Sequence, residues 1–80
     1  MDYELTRHAR ERMLERRISE KLLDDAILNP TKLLYNEDNK LMFKKLYAKN
    51  KRLLIVVAER TKTHLKIITI IDTSNINKHL

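Results

Sequence analysis

Leu53-Leu54-Ile55-Val56-Val57-Ala58-Glu59-Arg60 is almost continuously apolar until its last two residues. A run of this length, followed by a polar turn, predicts a central strand covered on both faces. Working outward, Lys49-Asn50-Lys51-Arg52 separates it from Leu41 to Ala48, a second apolar run that predicts a strand. Before that, Glu37-Asp38-Asn39-Lys40 predicts a turn and Lys32 to Tyr35 a short strand. On the other side, His64 to Ile71 predicts a fourth strand. Short connections of this kind favour an antiparallel meander. The chain has no glycine, so Asn39 and Asn50 are the expected residues wherever a turn needs positive φ.

The pattern changes to a helical period towards the N-terminus. Thr6 is a candidate N-cap for a helix over about Thr6 to Arg16, with Ala9, Met13 and Arg16 on one stripe. Ser19 caps a second helix, to about Leu28, whose Leu22, Leu23, Ala26 and Ile27 form an apolar face before Asn29-Pro30 stops it. The break at Arg17-Ile18 predicts a helical hairpin. The fold expected is therefore α+β: an N-terminal hairpin packed on a roughly four-stranded antiparallel sheet. Residues 73–80 are polar and read equally as a tail or a short helix.

Eighty residues suffice for one core, so residues 1–80 are expected to form a single domain. One phenylalanine and three tyrosines leave the burial to Leu, Ile and Val. No stretch approaches the roughly 20 apolar residues of a membrane span. The opening Met1-Asp2-Tyr3-Glu4 lacks a basic and an apolar signal region, so a cytoplasmic setting is expected. Cysteine is absent, which excludes disulfides, thiolate zinc sites and cysteine nucleophiles. His8, His64 and His79 show no metal-ligand spacing, and neither metal nor cofactor is expected.

Charge is unevenly placed. Residues 1–30 carry six Lys/Arg against seven Asp/Glu, and residues 31–80 carry eleven against four, for a total of +6. A basic sheet suits a polyanion such as RNA or DNA, or an acidic protein partner. It equally suits plain solubility and protection of sheet edges. In the first helix, His8, Arg12 and Arg16 share a broad face, where a phosphodiester would meet a proton carrier and two planar cations. Pairing of the arginines with Glu11 and Glu15 is the plainer alternative. His64 and Lys66 share a face of the fourth strand, and Tyr35, Glu59 and Arg60 lie near strand ends. Phe43, Lys45 and Tyr47 share a face of the second strand, where the aromatics serve either the core or base stacking around Lys45.

Residues Leu5 to Ser19, with His8-Ala9 followed by Arg12-Met13 and Arg16, resemble the opening of a small domain-of-unknown-function family. The Ile18-Ser19 helix start, Asn29-Pro30 and the following strands continue the likeness along nearly the whole chain. That family is similar to the RelE and BrnT toxins of toxin–antitoxin modules. The resemblance implies a RelE-like fold and a metal-independent ribonuclease, in which a ribose 2′-hydroxyl attacks the adjacent phosphate under the control of an antitoxin protein. It assigns proton transfer and phosphate binding to His8, Arg12 and Arg16. Lys45, Tyr47, Arg60, His64 and Lys66 are added as RNA-binding residues from strand geometry, with the first-helix face expected to open onto the same groove as the basic sheet. The alternatives are a non-catalytic RNA- or DNA-binding module and a small protein-interaction domain.

Overall fold

The structure is a computed structural model and describes residues 2–36 and 38–80. It is α+β, with elements in the order β1 (Tyr3–Leu5), α1 (Arg7–Arg16), α2 (Glu20–Leu28), β2 (Lys32–Tyr35), β3 (Lys40–Tyr47), β4 (Arg52–Arg60), β5 (Leu65–Thr73) and α3 (Ile76–His79). The sheet has five strands in the order β1-β5-β4-β3-β2. Strands β2 to β5 form the expected antiparallel meander, with each turn joining neighbours. The fifth strand, β1, corrects the four-stranded expectation: it pairs parallel to β5, Tyr3 opposite Leu65 and Leu5 opposite Ile67, which makes the sheet mixed.

The starts of α1 and α2 follow from their caps. The Thr6 hydroxyl accepts the Ala9 amide at 3.1 Å, and that of Ser19 accepts the Leu22 amide at 3.1 Å. Thr6 does more than cap. Its amide donates to the Ile67 carbonyl and its hydroxyl to the Ile68 carbonyl, each at 3.0 Å. Ile68 is the residue skipped where Val57 pairs with Thr69 but Ala58 with Ile67. This bulge leaves a carbonyl unmatched by β4, and the helix cap satisfies it.

The two long helices make their main contacts with the sheet rather than with each other. α1 packs on β5 and β1, and α2 packs on β3 and β4, so each covers its own part of one sheet face. Ala9, Met13, Leu23, Ala26 and Ile27 meet Phe43, Leu54, Val56, Ala58, Ile67 and Ile70 there. Fully buried side chains of this size each contribute roughly 1.5–3 kcal/mol, so aliphatic packing dominates. The other face is partly covered by α3, which packs on β4 where Leu53 and Ile55 are buried. β4 is therefore covered on both sides along its first half, as its apolar run predicts.

Among the described residues, five non-glycine residues have positive φ: Arg17, Asn39, Ala48, Lys49 and Asn50. The two asparagines are those expected. The 37–40 turn begins at Glu37, which lies outside the described residues; within it, the Asn36 side chain accepts the Asp38 and Lys40 amides. Arg17 ends α1 in the left-handed region at φ 54°, and the Ile18 amide returns to the Met13 carbonyl at 2.9 Å. No helix among the described residues is long and apolar enough to cross a membrane.

Thr6→Ala removes the cap and unpairs the bulge carbonyl, and is expected to cost about 1–2 kcal/mol in chemical denaturation, with Thr6→Ser recovering most of it.

Candidate active-site groove

Where β4 turns back into β5, Thr61 organises the corner. The Thr61 amide donates to the His64 carbonyl at 2.9 Å, and the His64 amide donates to the Thr61 hydroxyl at 3.1 Å. Parallel pairing brings β1 alongside, so Glu4 lies opposite Lys66 and its side chain reaches back to the imidazole. His64 Nε2 is 3.0 Å from Glu4 Oε1. On the ring's other side, Nδ1 is 2.8 Å from the Thr63 hydroxyl and 3.2 Å from that of Thr61. The side chain is about a third exposed, at 31%. A carboxylate therefore orients an imidazole that still reaches solvent, and the proton's position on the ring follows from its partners. The hydrogen bond from His64 holds the Glu4 carboxyl below the ordinary glutamate range; desolvation opposes this, and the charges of His64 and Lys66 reinforce it.

Two grooves meet at this imidazole, sharing Asp2 and Thr63. One, of about 580 Å³, is flanked by Tyr3, Glu4 and Asp24 and is acidic. The other, of about 490 Å³, has an apolar wall of Ile27, Leu33, Leu41 and Phe43, with Arg60 and Thr61 at its polar end. Its size falls within the range of small-ligand sites. An apolar surface ending in a guanidinium and an imidazole suits a molecule with a flat apolar body and an anionic group.

Of the expected site residues, only Arg60 and His64 come together in this groove. His8, Arg12 and Arg16 ride on α1. His8 and Arg16 are exposed, and Arg12 lies 3.8 Å from Glu15, while Arg7 pairs with Glu11 at 3.2 Å. Such surface pairs are weak, so the arginines retain capacity for an anion. The first helix and the basic sheet do not open onto one groove, however. Register and alternation put Lys32, Lys40, Lys44 and Lys66 on the sheet face turned away from α1 and α2. There, Lys66 lies opposite both Glu4 and Glu59, and Lys40 bonds Glu59 at 2.6 Å. The Lys40 bond and charge, with a smaller contribution from Lys66, outweigh desolvation and lower the Glu59 carboxyl.

Lys45 and Tyr47 face the helices. Lys45 donates to the Asn29 carbonyl at 2.7 Å and lies 3.2 Å from Asp25, tying the end of α2 to β3. The Tyr47 hydroxyl donates to Asp72, which also receives Arg52 Nε at 3.1 Å; burial first, then the Asp72 bond, push that phenol up. Tyr47 thus packs against the core at its polar margin, and Phe43 is buried. Tyr35 stands exposed at the β2 edge.

Glu4, Thr61 and Thr63 are the site residues that sequence reasoning missed. Glu4 and His64 are 60 positions apart and their meeting has no local signal. Spacing in Thr61-Lys62-Thr63-His64 held the one available clue, since threonines near a turn commonly bond the next residues. Among the described residues, no three His, Asp or Glu side chains are grouped to hold a metal ion.

The family model described as "Domain of unknown function (DUF4258)" matches residues 5–72. No curated protein and no solved structure matches.

The neighbouring Tyr3–Asp24 bond gives the corner a titration signature. The Tyr3 hydroxyl donates to Asp24 Oδ1 at 2.7 Å, and desolvation followed by that bond pushes its pKa from 10.0 up to about 12. The unfolded chain loses this proton first, so the stabilisation is intact below pH 10 and disappears as pH rises through about 12. Denaturant midpoints measured across that window are expected to fall less steeply for Tyr3→Phe than for the native chain.

Proposed function

The chain belongs to the DUF4258 family, and from that premise we propose that it is a toxin-like ribonuclease of RelE-like kind, silenced by a cognate antitoxin protein. It cleaves RNA without a metal. The observation that carries this reading is the carboxylate-held imidazole of His64 at the polar end of an apolar groove, beside Arg60. A base of the RNA lies against the apolar wall, and the adjoining phosphate meets the guanidinium. His64 takes the proton of the ribose 2′-hydroxyl at Nδ1, where the Thr63 hydroxyl now sits at 2.8 Å and moves aside for it. The 2′-oxygen bonds to phosphorus, the bond to the 5′-oxygen breaks, that oxygen takes a proton from water, and the hydroxide so formed takes back the proton held by His64. Arg60 stabilises the charge that builds on the phosphorane. Glu4 holds the ring and stabilises the imidazolium as it forms.

In this reading the arginines of α1, with His8, supply a sequence-independent track for the RNA backbone rather than the proton transfer. The net charge of +6 favours the same ligand. A second reading, a non-catalytic RNA-binding module, is favoured by one feature: both ring nitrogens of His64 already have partners within the protein.

RNA cleavage in the presence of a chelator separates these readings. His64→Ala is expected to lower the rate by about 10²-fold or more while RNA binding persists, and His8→Ala to leave the rate within a few-fold. Cleaved ends are expected to carry a 2′,3′-cyclic phosphate. Loss of cleavage in His8→Ala but not in His64→Ala would move the chemistry to α1. Native protein that cleaves nothing, with or without ribosomes, and is harmless on expression would contradict the ribonuclease.

A further inference from the structure

β2 is an open edge of the sheet: its one strand neighbour is β3, and all four of its residues are exposed. Its side chains are unlike those of a protected edge. Leu33 is 43%, Leu34 41% and Tyr35 77% exposed, and Lys32 is the strand's one charge. Because α2 packs over β3 and β4, it leaves β2 bare on that side. Leu33 borders the groove of about 490 Å³, and Leu34 borders a smaller one of about 170 Å³ with Met42 and Val57 on the opposite face.

The backbone of this edge is self-complementary. The Asn36 amide donates inward to the Lys40 carbonyl at 3.0 Å, so by antiparallel alternation Leu34 also bonds inward. The amides and carbonyls of Leu33 and Tyr35 consequently turn outward. We propose that β2 pairs antiparallel with β2 of a second copy of this chain, about a two-fold axis at Leu34, joining the two sheets into one. Leu33 then lies opposite the partner's Tyr35 and Tyr35 opposite the partner's Leu33, each pair exchanging two backbone hydrogen bonds. Leu34 meets the partner's Leu34 on the axis, so every exposed apolar side chain of the strand faces another. Placing Leu33 on the axis instead would set Tyr35 against the partner's Thr31, and in each copy the Thr31 amide is committed to the Lys44 carbonyl at 2.7 Å.

Charge allows this register. Lys32 faces the partner's Asn36, which leaves the two Lys32 ammonium groups roughly 13 Å apart along the strands. That exceeds the Debye length of about 8 Å at physiological salt, so the repulsion between two +6 chains is screened. Association consequently strengthens as salt rises, opposite in sign to polyanion binding. A four-residue edge makes a small interface, below the roughly 1,200 Å² in total at which stable specific interfaces begin, so the dimer depends on concentration. Leu33 also borders the larger groove, so pairing at this edge and RNA binding there share one residue; the proposal does not rest on the ribonuclease reading.

Sedimentation of the full chain from about micromolar to about millimolar concentration is expected to show a monomer–dimer equilibrium, and Leu34→Lys to weaken it at least about tenfold without unfolding the chain. The cysteine-free sequence offers a second measurement. Opposed β-carbons on the axis lie about 4.5–5.5 Å apart, close to disulfide range. Leu34→Cys should therefore oxidise to a covalent dimer about tenfold faster than Leu28→Cys, whose site on α2 is 58% exposed. A monomer at every concentration, with both cysteine variants cross-linking at equal rates, would leave the edge to a strand of another protein and overturn the proposal.

Discussion

The parallel contact between Tyr3–Leu5 and β5 is the constraint on which the rest of the molecule depends. Antiparallel neighbours need only a turn between them, whereas these two strands are joined through almost the entire chain. Each residue of β1 has a separate task. Leu5 packs against the core, Tyr3 bonds Asp24 of α2, and Glu4 holds His64. Thr6 then seats α1 on the sheet by joining its helix cap to the carbonyl of the β5 bulge. The groove at His64 is a product of this closure, because its imidazole comes from one end of the chain and its carboxylate from the other.

Lysines on the sheet are not one field. Lys40 and Lys66 alternate with Glu59 and Glu4 across neighbouring strands, a row that stabilises the sheet more than it attracts a ligand. Lys45 is turned under α2 and held there. Lys32 and Lys44 lie opposite each other, an unfavourable like-charge pair, and are accommodated by carbonyls at the end of α3: Lys44 bonds that of His79, and Lys32 that of Leu80. Helix carbonyls carry partial negative charge, which makes this terminus a fitting cover for two ammonium groups. Among the other cations, Arg10 and Arg16 of α1, Arg60 and the turn lysines Lys49, Lys51 and Lys62 are exposed at the surface.

Local chemistry was legible in the sequence, and long-range pairing was not. Thr6 and Ser19 cap their helices because a hydroxyl beside an exposed helix amide acts within three residues. The strand runs and the asparagines of positive φ are likewise short-range features. By contrast, Tyr3-Glu4-Leu5 is too short to display a period, and its partner lies some sixty residues away. Missing β1 also hid Glu4, and with it the carboxylate that meets His64. Alternation separated Lys44 from Lys45 correctly, but only packing decides which face the helices cover.

In the proposed reading, the groove beside His64, rather than the α1 face or the lysine-bearing side of the sheet, receives the reacting part of an RNA. Amide NMR of the labelled chain, titrated with an RNA oligonucleotide made uncleavable by a 2′-deoxy substitution, tests this most directly. The largest shifts are expected at Arg60 to Leu65 and at Leu41 to Phe43, where the groove's polar end and apolar wall lie. Shifts confined to His8 through Arg16, or to Lys40, Lys44 and Lys66, would contradict it.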